Sequence, residues 1–399
     1  MNHIRQNTEK FSVGRLLRMK QIRWLAFFVA FLCAAMLFPI PVYAEEVALE
    51  APSVFLMEAE SGTILYEKNA DEMRHPASVT KVMTLLLVFE AIDSGKIKMA
   101  DSVTVSERAA SMGGSQVFLE VGEKMSVEDM IKSVVVCSAN DAAVALAEFV
   151  AGSENAFVDK MNAKAIDLGM KNTHFDNTNG LDDTTETHLT SARDIALMSR
   201  ELIIKHPSVL NYTTIWQDTI RGGAFTLTNT NKLVRFYEGA NGLKTGFTSK
   251  SGYCISATAK RDGLQLIAVV MGAESSDKRN LTAKRLFDYG FANYSYMELS
   301  CSDDISFRVI GGEKAASHGR TVPLAKVLPK GEKGTVSYEI HLNDSVYAPL
   351  YKGDCVGKIV YKSKDTVIGE VDICAVEDVS RMTFFGLLKK ALINYLMLE

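Results

Sequence analysis

The chain has 399 residues, of which 47% are hydrophobic and 23% charged, with 27 Gly and 8 Pro; this is the composition of a folded protein of two or three domains, and it excludes disordered, collagen-like and multi-span membrane classes. The net charge of −4 hides an asymmetry: residues 1–44 carry six Lys/Arg (Arg5, Lys10, Arg15, Arg18, Lys20, Arg23) and a single acid, Glu9, leaving 38 Lys/Arg against 47 Asp/Glu in the body. An acidic body without a basic run excludes a nucleic-acid partner, because phosphate neutralisation requires a cationic face.

From Trp24 to Phe38 every residue is apolar or Cys, with the basic cluster before it and Pro39, Pro41 and the small-residue site Val42-Tyr43-Ala44 after it. This pattern reads as a secretory signal peptide over residues 1–44, since the apolar run is too short to span a bilayer. The alternative is an uncleaved anchor, and under either reading the body is exported. Residues 51–69 read as a hairpin: Val54–Met57, a turn at Ser61-Gly62, then Thr63–Tyr66. Helical spacing follows in Ser78–Ile92, Val127–Cys137, Asp141–Val150, Glu154–Leu168, Ser191–Lys205 and Lys278–Phe291. Strand-like runs return at Gly252–Ala257 and Leu264–Val270, around the turn Arg261-Asp262-Gly263. Strands, then helices, then strands predict an α+β body in which the early hairpin and the later strands share one sheet.

After about Ser300 the pattern becomes short strands between turns: Ile305–Ile310, Thr335–Leu342, Ser345–Pro349, Val356–Tyr361 and Thr366–Val376. They predict a separate small all-β domain. In the last twenty residues Phe384, Phe385, Leu388, Leu392, Tyr395 and Leu396 fall on one helical face, with Lys389, Lys390 and Asn394 off it. Such a helix either lies in a membrane surface or packs on the body, and amphipathicity alone does not separate the two. Five cysteines remain beyond residue 44 (Cys137, Cys254, Cys301, Cys355, Cys374). An odd number is poor support for a disulfide framework, though a single Cys355–Cys374 bridge stays open. There is no CxxC, and the seven His show no metal-ligand spacing, so neither a metal nor a cofactor is expected.

Three short motifs carry chemistry. Ser78-Val79-Thr80-Lys81 puts a hydroxyl and an amine three residues apart on one helical face, after His75-Pro76. A serine becomes a nucleophile when a base takes its proton, and a lysine can do so if burial or other cations lower its pKa. The same spacing at Ser275–Lys278 shows how little this says alone, since an N-cap Ser followed by a surface Lys looks identical. Ser138-Ala139-Asn140 lies between two helical stretches, where a hydroxyl and an amide either enter a cleft or simply cap the next helix. Lys244-Thr245-Gly246 either lines a strand edge, with Gly permitting close backbone approach, or forms a turn before a strand.

Together and in this order, the three motifs match those of serine penicillin-binding proteins and class A β-lactamases. The chain resembles the low-molecular-mass penicillin-binding proteins, the D-alanyl-D-alanine carboxypeptidases of peptidase family S11. Further blocks carry the likeness: His75–Thr84, Gly114–Leu119, Ser138–Ala142, Gly169–Phe175, Ser191–Asp194 and Asn241–Thr248. The resemblance implies a β-lactamase/transpeptidase-like catalytic domain at 45–298, an antiparallel sheet with a helical cluster. It also implies an all-β domain at 299–378 and an amphipathic membrane-associating helix at 379–399. In the site it implies Ser78 as the nucleophile that forms an acyl-enzyme, Lys81 as its base, and Ser138 as the proton relay. Asn140, Lys244, Thr245, Gly246 and Phe247 would bind substrate, with the N–H groups of Ser78 and Phe247 forming an oxyanion hole. Implied partners are the peptidoglycan stem peptide, β-lactams as covalent inhibitors, and the outer face of the cytoplasmic membrane. The implied role is in cell-wall biogenesis and cell shape. The chain departs from the family pattern twice: Phe247 stands where many relatives have His, and Asn229–Leu233 lacks an Arg that in some relatives helps to hold the carboxylate. A β-lactamase would need a water-activating Glu in the loop 177–190, where no convincing counterpart is found. A β-lactam sensor or wall-binding scaffold is the non-enzymatic alternative.

Overall fold

The computed structural model describes residues 49–396 apart from Thr184 and Ser302, and the side chain of Asn394 within the last helix is also not described. The segment read as a signal peptide lies outside these residues.

Five antiparallel strands form the central sheet: β1 (Ser53–Glu58), β2 (Ile64–Lys68), β3 (Ala240–Thr248), β4 (Gly252–Arg261) and β5 (Leu264–Ala273), in the spatial order β2-β1-β5-β4-β3. The predicted hairpin and the later strands therefore do share a sheet, with β1 inserted beside β5. β1 is buried along its whole length, and β5 nearly so, because both faces of the sheet are covered. Alternate side chains go to opposite sides. Phe55, Met57, Ile267, Val269 and Met271 join the large core under the helical cluster, whereas Val54, Leu56, Leu266, Ala268 and Val270 pack on the other side. There they meet Ala283, Leu286 and Phe287 of a long helix at Ser276–Asn293.

The helical cluster contains α1 (Lys81–Asp93), α2 (Val127–Val136), α3 (Asn140–Ala151), α4 (Glu154–Asp167) and α5 (Ala192–Lys205); the long Ser276–Asn293 helix is α6. Local capping fixes several starts: the hydroxyls of Ser126, Ser153, Ser191 and Ser275 accept from the N–H three residues on, and so open α2, α4, α5 and α6. No side chain caps α1; a short 3-10 turn, Ala77–Thr80, leads into it instead. Ten of its thirteen residues are buried, Lys81 among them. Apolar residues on every side make it an interior helix, and this burial carries the Ser78–Lys81 turn into the body.

The second region is all-β, as expected after Ser300. Its strands are β6 (Tyr294–Leu299), β7 (Ile305–Ile310), β8 (Ala316–Arg320), β9 (Leu324–Pro329), β10 (Val336–Leu342), β11 (Val346–Tyr347), β12 (Cys355–Ser363) and β13 (Thr366–Ala375). Six of them form one sheet in the order β10-β12-β13-β8-β7-β11, while β6 pairs with β9. Its own core contains Phe307, Val356, Ile359, Tyr361 and Ile373. Strands β6, β8 and β9 have no counterpart in the sequence reading. Ala316–Arg320 (ASHGR) shows why: it has none of the β-branched or aromatic residues that mark a strand, and its place in the sheet is set by neighbours on both sides. The chain ends in α7 (Phe384–Leu396).

Candidate active site

Three segments distant in sequence converge on Ser78. The first is the turn that bears it. Ala77 adopts φ +48, a left-handed conformation that non-glycine residues seldom take, and Gly180 packs against its carbonyl so closely that a Cβ there would lie 1.8 Å from Ala77 O. Ser78 is left partly exposed while Ala77, Val79 and Thr80 are buried. One turn on, the Lys81 amine has three partners: Ser78 Oγ at 2.9 Å, Asn140 Oδ1 at 2.6 Å and the carbonyl of Asn179 at 2.8 Å. A neutral amine has two N–H groups and one lone pair. With the N–H groups donated to Asn140 and Asn179, the lone pair is free to accept the Ser78 hydroxyl proton. Burial pushes the Lys81 pKa well below its ordinary value, and the nearby Lys244 ammonium adds to that shift. Of the two causes that can lower a lysine pKa, burial is thus the larger and the neighbouring cation the smaller.

The second segment is the α2–α3 junction. Ser138, 4% exposed, is held at φ +68 between the two helices. Asn140, the first residue of α3, not only accepts from Lys81 but donates through Nδ2 to Gly113 O at 2.7 Å, and its N–H bonds Ser115 O at 2.7 Å. The loop carrying those carbonyls is held from below by Asp141, whose carboxylate accepts from the N–H groups of Val117 and Leu119.

The third segment is β3. Lys244-Thr245-Gly246 lies within the strand and not in a turn before it, at the free edge of the central sheet. A Cβ on Gly246 would stand 2.9 Å from Pro76 O and 3.0 Å from Ser78 N, so only glycine lets this edge approach the serine turn. Lys244 is 1% exposed and donates to Thr245 O at 2.9 Å; burial lowers its pKa to about 7. Thr245 donates its hydroxyl to Thr230 Oγ1 at 2.7 Å. Phe247 is 53% exposed, with its ring turned onto its cross-strand partner Tyr253 at 4.2 Å between centroids. Arg235, just beyond the stretch Asn229–Leu233, stacks over Trp216 and Phe236.

Of the eight residues singled out in the sequence, Ser78, Lys81 and Asn140 are joined by hydrogen bonds and Gly246 packs against the Ser78 turn, while Lys244, Thr245 and Phe247 share the strand of Gly246 and Ser138 lies two residues before Asn140 at the α2–α3 junction. Several others were not found from sequence. The Asn179 carbonyl and Gly180 come from a loop that Asn177 Oδ1 folds by accepting from both of their N–H groups. His188 is a buried member of the same support. It accepts from Asp176 N–H at Nδ1 (2.9 Å), which leaves the proton on Nε2 for Thr80 Oγ1 at 2.8 Å. Burial lowers its pKa to about 4. Gly169–Phe175 and Ser191–Asp194, blocks that flank this loop, were the available signal. The lowered value makes His188 a source of acid sensitivity: between pH 6.5 and about 4 the unfolded chain takes up a proton that the folded chain refuses, so stability falls as pH falls through that window. The loss is about 3 kcal/mol; thermal melts between pH 7 and 4.5 of native protein and His188→Gln should show a shallower decline in the variant.

Comparison with known proteins accounts for this combination. The family model for D-alanyl-D-alanine carboxypeptidases matches residues 41–275, and that for the C-terminal domain of penicillin-binding protein 5 matches 294–381. The chain belongs to the D-alanyl-D-alanine carboxypeptidase family. It is a serine-type peptidase of that family, with a penicillin-binding catalytic domain followed by an all-β domain. Among family members it is 43% identical to the D-alanyl-D-alanine carboxypeptidase DacF of Bacillus subtilis over 87% of this chain and 90% of that one. The crystal structure of penicillin-binding protein 5 from Haemophilus influenzae is similar with a TM-score of 0.73 and 33% identity, covering 84% of this chain and 98% of that one. Penicillin-binding protein D2 from Listeria monocytogenes, solved in its ampicillin-bound form, is similar with a TM-score of 0.56 and 34% identity over 61% of this chain and 98% of that one.

Proposed function

We propose that the protein removes the terminal D-alanine from peptidoglycan stem pentapeptides through an acyl-enzyme on Ser78, and that β-lactams acylate the same residue. The carrying observation is the buried Lys81 amine, whose pKa burial holds well below its ordinary value and which lies 2.9 Å from Ser78 Oγ. In this reading Ser78 Oγ attacks the carbonyl between the two D-alanines while its proton passes to Lys81 Nζ. The resulting oxyanion lies between the N–H groups of Ser78 and Phe247, a role supported by the close approach at Gly246 and typically worth about 3 kcal/mol per donor. As the intermediate collapses, Ser138 relays a proton to the departing D-alanine nitrogen. Water then attacks the acyl carbonyl and regenerates Ser78. Asn140 holds the substrate amide, and Lys244 with Thr245 binds the terminal carboxylate, whose negative charge favours the protonated form of Lys244.

A β-lactamase is disfavoured by the loop 177–190: Glu186 is 81% exposed at its side chain and paired with Lys250, so it is not placed to activate water. Intact mass after brief exposure to benzylpenicillin, followed by D-alanine release from a diacyl-D-Ala-D-Ala peptide, tests the proposal. A penicilloyl adduct and D-alanine release are expected, and both should vanish in Ser78→Ala. A folded native protein that gives neither would overturn the acyl-transfer reading; an adduct without peptide turnover would indicate a sensor.

The domain organisation belongs to the same proposal: a signal peptide at 1–44, the catalytic domain at 45–298, the all-β domain at 299–378 with its start falling inside β6, and a membrane-associating helix at 379–399. Among the described residues no helix is long and apolar enough to cross a membrane. α7 instead exposes Phe384, Phe385, Leu388, Leu392, Tyr395 and Leu396, each more than half accessible, which fits a helix lying in a lipid surface better than one packed on the body. Its Lys389 and Lys390 suit anionic headgroups. Such an anchor would hold the enzyme on the outer face of the cytoplasmic membrane. Deleting residues 383–399, which leaves the β-domain contacts of Val379–Met382 in place, should abolish co-sedimentation with anionic vesicles and leave hydrolysis of a soluble peptide unchanged; retained sedimentation would contradict the anchor.

A further inference from the structure

Cys355 opens β12 and Cys374 lies near the end of β13, and the two are direct cross-strand partners in an antiparallel pair. Their position in the ladder can be read from the flanking bond: Ala375 N–H donates to Asp354 O at 2.9 Å, one residue beyond the pair on each strand. That is the pattern around a non-hydrogen-bonded pair, in which facing Cα atoms approach to about 4.5 Å. The separation falls within the range a disulfide accepts, about 4.4–6.8 Å. Side-chain direction agrees. Ile373 and Ala375 point into the β-domain core, so Cys374 between them points outward, and Cys355 precedes the fully buried Val356 and is itself exposed. A register shift between Cys355 and Gly357 follows immediately, while on its other side Cys374 pairs with Arg320 of β8. In the structure both are free thiols, the Cys355 sulfur resting 3.4 Å from Gly357 O. The other described cysteines are elsewhere: Cys301 packs against the β-domain core, and Cys137 and Cys254 belong to the catalytic domain.

We infer that Cys355 and Cys374 form a disulfide whenever an oxidant disulfide is present, clamping β12 to β13. The accessible Cys355 thiolate attacks one sulfur of the oxidant, forming a mixed disulfide and releasing one thiolate. The Cys374 thiolate then attacks the Cys355 sulfur and expels the second thiolate. The protein loses two electrons and two protons, which the oxidant takes up as two thiols. Cross-linking would close a loop of eighteen intervening residues in the strand pair that leads the chain towards α7. An extracytoplasmic location would supply the oxidising setting in which such bonds persist. The inference concerns the thiols alone and stands apart from the acyl-transfer chemistry proposed for Ser78.

The test uses the purified protein equilibrated with oxidised glutathione, quenched with iodoacetamide under unfolding conditions and mapped by peptide mass. The expected product is a linked Cys355–Cys374 peptide pair, about 2 Da lighter than the two reduced peptides together, with Cys137, Cys254 and Cys301 alkylated. Cys374→Ser should stop at the glutathione mixed disulfide on Cys355, and Cys301→Ser should still form the bridge. Persistent glutathione on Cys355 of the native protein with Cys374 alkylated, or a bridge from either residue to Cys301, would overturn the inference. Benzylpenicillin labelling of the same samples reports on Ser78 independently.

Discussion

Replacing Lys81 by Met should lower the rate of acylation by benzylpenicillin roughly a thousandfold, the middle of the range for loss of a positioned general base. The expectation rests on the three-partner geometry at Nζ: in the neutral amine Asn140 and Asn179 take the two N–H groups, which leaves the lone pair to the third partner, Ser78 Oγ. Methionine has about the same length and no lone pair that accepts a proton. The variant should still fold, because the side chain sits in a fully buried helix position where an amine is costly and a thioether is not. Thermal melting beside the acylation rate therefore separates chemistry from stability, and a Lys81→Met protein that acylates within threefold of the native rate would remove Lys81 from the mechanism. The pH dependence carries a matching sign. The neutral Lys81 amine is the active form, so acylation rises with pH through its lowered pKa. Lys244 must be cationic to hold a carboxylate, and with a pKa of about 7 in the free protein it weakens binding as pH climbs past that value. The expected profile of kcat/KM is bell-shaped, and Lys81→Met should lose its acidic limb.

Gly180→Ala should be the most damaging single methyl in the molecule's active half. Its Cβ would stand 1.8 Å from Ala77 O and 2.8 Å from Thr80 Oγ1, at φ +86. The first of these is a backbone atom of the turn that presents Ser78, so relief requires moving the turn itself. A loss of about 4 kcal/mol or more in urea unfolding is expected, in the exceptional range for one substitution, together with failure to acylate in whatever fraction folds. Gly122→Ala is the control for conformation alone: its φ is +81, but nothing lies within 4 Å of the added carbon. It should cost about 1 kcal/mol and leave acylation intact. A Gly180→Ala protein as stable as Gly122→Ala would show that the Ala77 turn is more pliable than its packing indicates.

What the sequence by itself determined was everything carried by local rules. Helix starts follow from Ser126, Ser153, Ser191 and Ser275, whose hydroxyls satisfy N–H groups three residues away. The Ser78–Lys81 relation is one helical turn, and spacing alone puts both groups on one face. Long apolar strands such as Leu264–Ala273 announce themselves by composition. The tertiary structure decided what depends on residues far apart. β3, with the run Ala240–Thr248 (ANGLKTGFT), has little strand character of its own and becomes a strand because β4 supplies its ladder bonds; this is what turns Lys244-Thr245-Gly246 from a turn candidate into a sheet edge beside the serine turn. The environment of Lys81 is likewise non-local. Its second N–H goes to a backbone carbonyl 98 residues away, and no side-chain identity marks a carbonyl in advance. Burial, the largest cause of the lowered pKa of both Lys81 and Lys244, exists only once the helical cluster has closed over the sheet. The motifs are thus local and legible, whereas their chemistry arises from packing, because desolvation is a property of the assembled core and not of any segment.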